Sequence, residues 1–302
     1  MKKPDFFLVG AAKAGTTSIF KYLVQHPSVF IPDIKEPHYF SEFPQLRAPR
    51  LENEEAYLAL FEGCPSGSVA GDASTSYIYS PHAARRIHDL NPDARILMVL
   101  RNPVDRAYSF YWHNRREFAE DQSFEEALEA EPTRIAAGTP FRYHYTASGM
   151  YFEQVRRYVD LFGPGAILLH LFEDLENDPA GLCRSMFGFL GVDPDYPVET
   201  GHIFNPGGPN RSRLIGWLLS PDLPGRKLIR AALPRASRKL KQRIMARNVA
   251  SPPPMNPATR ARLGMLFLQD IERLEGLIGR DLAAWKSVAS PTPDPSPDYA
   301  CS

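Results

Sequence analysis

The chain is expected to fold as an α/β protein, a parallel sheet covered by helices on both faces. Short apolar runs of strand length recur along the sequence, as FFLV, RILMVL and AILLHLF. Helix-patterned segments separate them, and the first run ends in a glycine-containing turn that opens a helix. Strand, helix, strand in that order implies parallel strands buried on both faces.

Each element has its own signal. Phe6 to Val9 is a continuous apolar strand, and after Gly15 the residues Ile19, Phe20, Leu23 and Val24 share one helical face. Arg95 to Leu100 is a second buried strand. It runs into NPVDRAYSFYWHNRR, where Pro103 suits the first turn of a helix. Within that helix Tyr108, Phe110, Tyr111 and Trp112 suit core and rim packing. Ala166 to Phe172 is a third strand, leading through EDLENDP into a helix from about Pro179 to Leu190, stopped near Gly191. Asp72 is expected in a turn and Asp174 as a surface acid after the third strand. One domain is expected over residues 1–289, followed by a disordered proline-rich tail, SPTPDPSPDYACS, over residues 290–302.

Composition bounds the function. In 302 residues, 43% hydrophobic and 23% charged, the 35 basic and 35 acidic side chains cancel. That balance argues against a nucleic-acid partner and against wholesale adhesion to an anionic membrane. Cys64, Cys183 and Cys301 have no short paired spacing, so neither a disulfide framework nor a zinc site is implied, which suits a reducing cytoplasm. Lys2 and Lys3 precede the apolar run FFLVGAA, which is too short for a secretory leader and meets Lys13 at once. No segment reaches the ~18 apolar residues of a membrane span.

The first loop, VGAAKAGTTS, carries chemistry. A strand ending in such a turn aims backbone N–H groups and the positive end of a helix dipole at one spot, which suits a phosphate. Thr16, Thr17 and Ser18 add hydroxyls there. In nucleoside-triphosphate hydrolases the pattern is GxxxxGK[ST]. Gly10 and Gly15 keep that spacing, but Thr16 stands at the lysine position and the lysine is Lys13, inside the loop. A cation there reaches the phosphate nearest a nucleoside rather than the end of a triphosphate. The loop makes the expected sheet a three-layer one of the P-loop type.

GAAKAGTTS resembles the 5′-phosphosulfate loop of sulfotransferases that use 3′-phosphoadenosine 5′-phosphosulfate (PAPS), and RNPVDRAYS resembles their second signature. The segments KEPHYF, DASTSYIYSP and the stretch from Ser148 to Pro194 are similar to bacterial members related to the heparan-sulfate branch. The resemblance implies PAPS as co-substrate, release of 3′-phosphoadenosine 5′-phosphate (PAP), and no metal. It implies that Lys13, Ala14, Gly15, Thr16, Thr17 and Ser18 hold the 5′-phosphosulfate and that Arg101 and Ser109 hold the 3′-phosphate. A guanidinium at the carboxyl end of a central strand is also a physically apt phosphate ligand. Without that loop, Arg101 would be read as a structural ion pair with Asp105. In the heparan-sulfate branch a glutamate after the first helix acts as base, which corresponds to Glu36. Phenol and steroid sulfotransferases use a histidine instead, and His38 is the runner-up.

Two features depart from the heparan-type pattern. Ala73 stands where that branch carries a lysine, and its late cofactor loop has no clean counterpart; NRSR is the nearest cationic segment, with Arg211 and Arg213 as candidates. The expected reaction moves a sulfuryl group to a hydroxyl or amine of a glycan, glycolipid or small-metabolite acceptor. A P-loop nucleotide or sugar kinase and a non-catalytic nucleotide-binding module are the alternatives.

Charge is segregated late in the chain. Residues 211–247 contain eleven Lys or Arg and one acid, Asp222, a net +10 in a chain whose total is zero. With LIGWLL and KLIRAAL interleaved, this is the pattern of a basic amphipathic helix that contacts an inner membrane surface or an acidic glycan, or of a solvated helical cover.

Overall fold

The computed structural model describes residues 1–34, 36–43, 51, 53–201, 208–212, 214–215 and 248–287. The proline-rich tail, Cys301, Arg213 and most of the basic segment 211–247 lie outside the described residues.

Five parallel strands form one sheet in the order β2-β3-β1-β4-β5. They are β1 (Phe6–Gly10), β2 (Val29–Phe30), β3 (Val69–Ala73), β4 (Arg95–Leu100) and β5 (Ile167–Leu171). All of β1 is buried, and so is β4 apart from Arg95, which is why both are written as unbroken apolar runs. From β1 the chain moves outward to β2, returns as β3, and crosses to the other side as β4. The carboxyl ends of β1 and β4 therefore flank the point where the winding reverses, the place where open α/β sheets bind ligands.

Among the described residues the α-helices are α1 (Thr16–Leu23), α2 (Glu54–Leu58), α3 (Ala83–Leu90), α4 (Pro103–Arg116), α5 (Phe124–Ala136), α6 (Tyr151–Phe162), α7 (Phe172–Asn177), α8 (Pro179–Leu190), α9 (Pro257–Ile278) and α10 (Ala283–Lys286). Helix α1 packs with α8, while α6 packs with α3 and α9, and α9 reaches α4. The expected helix-covered parallel sheet is thus present. Asn102 caps α4 by accepting the Val104 N–H at 3.0 Å, with Pro103 in the first turn, and α8 stops at Gly191 as its sequence implies.

Asp72 corrects an expectation. It lies in β3 and is buried, because it accepts the hydroxyls of Tyr57 and Tyr77 at 2.8 Å and of Ser74 at 2.7 Å. Burial pushes its pKa up, against the pull of those three donors. It anchors the turn that follows β3. Asp174 is also more engaged than a surface acid, accepting the Leu171 N–H at 2.9 Å and pairing with Arg280 at 2.6 Å.

Candidate active site

The β1–α1 loop is held down from both ends. The Ala11 N–H donates to the Val99 carbonyl at 2.7 Å, tying the loop to β4. Gly15 then turns with φ 82° into α1. A Cβ on Gly15 would overlap the Leu175 side chain and stand 3.3 Å from the Phe172 ring, so both conformation and space demand glycine. Helix α1 has no side-chain cap and no acid in its first turn. Helices α2, α4, α5, α8 and α9 are capped by Asn53, Asn102, Ser123, Asp178 and Asn256. Lys13 is half-buried beside the positive end of α1, and the Thr16 and Ser18 side chains are buried at its start.

Arg101 leaves the end of β4 toward the same loop. Its Nη1 donates to the Lys13 carbonyl at 3.5 Å, and its guanidinium lies 4.4 Å from the Phe172 ring centroid. Tyr151 donates its hydroxyl to the Arg101 carbonyl at 3.1 Å. The alternative ion pair with Asp105 does not form: Asp105 faces α9 and pairs with Arg260 at 2.6 Å. Ser109 is half-buried further along α4, while Phe110 and Tyr111 are buried and Tyr108 and Trp112 pack at the rim, as expected.

Arg211 is not brought to this cluster by any described hydrogen bond. Its Nε donates to the Val249 carbonyl at 3.0 Å, and neighbouring Asn210 docks on the Arg116 carbonyl at 2.9 Å. Arg116 is the last residue of α4, about 10 Å of helix rise beyond Ser109.

Glu36 and His38 form the third part. His38 Nε2 lies 3.2 Å from Glu36 Oε2, which also accepts the Thr75 hydroxyl at 3.4 Å. His38 Nδ1 meets the Ser76 hydroxyl at 2.6 Å, and its backbone N–H donates to Ser74 Oγ at 3.1 Å. The buried Asp72 in turn fixes Ser74. The hydroxyl-rich turn after β3 thus holds the Glu36–His38 pair, and its Ser74, Thr75 and Ser76 were not among the expected site residues. A run of hydroxyls directly after a strand was the available signal.

Backbone strain marks the same places. Among described non-glycine residues, φ is positive at Lys13 (72°), Glu36 (60°), His38 (52°) and Phe118 (58°). Such conformations cost about 1–3 kcal/mol each and cluster where function requires them. Three of these four are residues singled out for chemistry.

A family model for the sulfotransferase domain matches residues 3–201. The chain belongs to that family. Over 210 residues the sulfotransferase is 30% identical to human bifunctional heparan sulfate N-deacetylase/N-sulfotransferase 3, covering 67% of this chain and 24% of that protein. It is 29% identical over 197 residues to the human bifunctional enzyme 2, covering 63% and 22%. The chain therefore spans about a quarter of the length of these relatives. The crystal structure of a sulfotransferase from Alicyclobacillus acidocaldarius is similar throughout, with 35% identity, a TM-score of 0.74, and coverage of 95% of this chain and 100% of that one.

Proposed function

We propose that this sulfotransferase takes PAPS as donor, with the nucleotide lying across the carboxyl ends of β1 and β4. The observation that carries this reading is the approach of the Arg101 guanidinium to the backbone of the loop that carries Lys13, beside a helix N-terminus without a side-chain cap or acid. That donor set fits a ligand with anionic groups at both the 5′ and 3′ positions of one nucleoside. Lys13 and the first turn of α1 would hold the 5′-phosphosulfate, and Arg101 with Ser109 the 3′-phosphate.

PAPS supplies an activated sulfuryl group whose transfer leaves negative charge on a 5′-phosphate oxygen. Lys13 and the α1 N-terminus neutralise charge at that oxygen. Glu36 takes the proton of the acceptor hydroxyl or amine. His38, held on Ser76 through one ring nitrogen, turns the other to Glu36 and orients its carboxylate. The acceptor class is a glycan, glycolipid or small metabolite, and similarity to heparan-sulfate enzymes favours a glycan. The basic segment 211–247 suits an anionic acceptor or membrane surface, which co-sedimentation with anionic and neutral liposomes at low and high salt would test.

The donor reading is tested by Arg101→Ala. PAP binding should weaken by about tenfold to a hundredfold, while adenosine 5′-phosphosulfate, which lacks the 3′-phosphate, should bind nearly as before. Equal loss of both ligands would make Arg101 a structural residue.

A further inference from the structure

Arg106, on α4, is fully buried. Its Nη2 donates to the Tyr145 carbonyl, while Nε and Nη1 meet no acceptor. It forms no ion pair with any described carboxylate, whereas Arg134, Arg142 and Arg260 are paired with Glu120, Glu117 and Asp105. Nearby Glu131 is committed elsewhere, accepting the N–H groups of Thr146 and Ala147 and the Thr146 hydroxyl. Burial accordingly pulls the Arg106 pKa below the usual guanidinium value.

A buried cation without a paired anion is an expensive arrangement. Its position suggests a use. Arg106 lies on α4 between Arg101 and Ser109, and at three residues' spacing it is a neighbour of Ser109 on the helix surface. Buried Tyr151, at the start of α6, donates its hydroxyl to the Arg101 carbonyl and lies within the electrostatic influence of both arginines. Neither signature match assigns Arg106 a role.

We infer that Arg106 is a positioning residue for the donor's 3′-phosphate, a buried cation with no salt bridge of its own behind Arg101 and Ser109, whose charge gains a partner beyond the field of Glu131 when that dianion binds. The inference rests on the assignment of Arg101 and Ser109 made above. It implies a separation that ordinary structural arginines do not show. The charge should cost stability in the free protein and return it on binding.

The test compares Arg106→Met, which keeps bulk and removes charge, with Arg106→Lys, which keeps charge, and with Arg101→Ala. Ligand-free melting and calorimetric titration with PAP and with adenosine 5′-phosphosulfate are measured for each. Arg106→Met should melt within about 2 °C of the parent or higher. It should weaken PAP about tenfold and adenosine 5′-phosphosulfate by no more than about twofold, with Arg106→Lys recovering most of the PAP affinity. The inference is overturned if Arg106→Met fails to fold or melts much lower, if PAP affinity is unchanged, or if both ligands weaken alike. Loss of PAP preference in Arg101→Ala but not in Arg106→Met removes Arg106 alone. An unchanged preference in Arg101→Ala removes the 3′-phosphate assignment itself, and the Arg106 inference with it.

Discussion

Replacing Gly15 by alanine perturbs the loop at its tightest point. With φ at 82°, any side chain at this position adopts the left-handed conformation, which costs about 1–2 kcal/mol. The new Cβ would also overlap the Leu175 Cδ2 and press on the Phe172 ring at 3.3 Å. Leu175 is buried, and relieving such an overlap costs about 1–3 kcal/mol. The sum, about 2–5 kcal/mol, corresponds in a domain of this size to a fall in Tm of about 3–8 °C. Urea unfolding of Gly15→Ala, measured alone and in a Leu175→Ala background, separates the two costs. In the second background the overlap with Leu175 is gone and only the looser Phe172 contact remains, so the penalty of Gly15→Ala should drop toward the conformational part, about 1–2 kcal/mol. An equal penalty in both backgrounds, or none in either, would refute the packing argument for this loop.

Other outcomes follow from the same geometry. Lys13→Ala should lower kcat much more than it weakens PAP, because the lysine serves charge that develops on the leaving oxygen; a kcat near the parent value removes it from the mechanism. Glu36→Gln should reduce kcat by ~10²–10⁴-fold with PAP affinity intact, and His38→Ala should be milder because it disturbs only the carboxylate's orientation. If His38→Ala proves the more damaging, His38 is the base. Arg280 holds the Asp174 carboxyl down to about 2, from its ordinary 3.8, so their pairing stabilises the fold above pH 4 and loses that contribution as pH falls toward 2. After allowance for solvent screening, Arg280→Met should cost about 1 kcal/mol at neutral pH and progressively less below pH 4; a pH-independent cost would exclude this pair as its source.

How much of this was legible in the sequence depends on which forces shape each segment. Strands β1 and β4 announce themselves because burial on both faces leaves little but apolar residues, while β5, part-buried at the sheet edge, is legible only because four of its five residues are still apolar. Strand β2 has two residues, too few for any period, and β3 reads VAGDA, with Gly71 and Asp72 against its strand propensity. Both oddities have tertiary causes. A Cβ on Gly71 would collide with the Phe6 ring, and Asp72 is satisfied by hydroxyls that arrive from α2 and from the turn. The phosphate-type loop and the residue Arg101 were legible because their chemistry is local: glycines, hydroxyls and a strand end. The contact of Arg101 with the Lys13 loop is not local, and neither is the preference of Asp105 for Arg260 on α9. The hold of Ser74, Thr75 and Ser76 on Glu36 and His38 likewise depends on two segments distant in sequence, one following β2 and one following β3, whose strands pair side by side.

The central claim, that the paired loops hold a PAPS-type nucleotide, is tested most directly by thermal shift with matched concentrations of PAP, ATP and ADP, with and without magnesium. A ligand that prefers the native state stabilises it by an amount set by the logarithm of one plus the ratio of free ligand concentration to Kd, and so raises Tm. PAP should stabilise the protein well beyond either adenine nucleotide, and magnesium should change nothing. Stabilisation by magnesium–ATP equal to or greater than that by PAP would contradict the claim and return the loop to kinase-type chemistry.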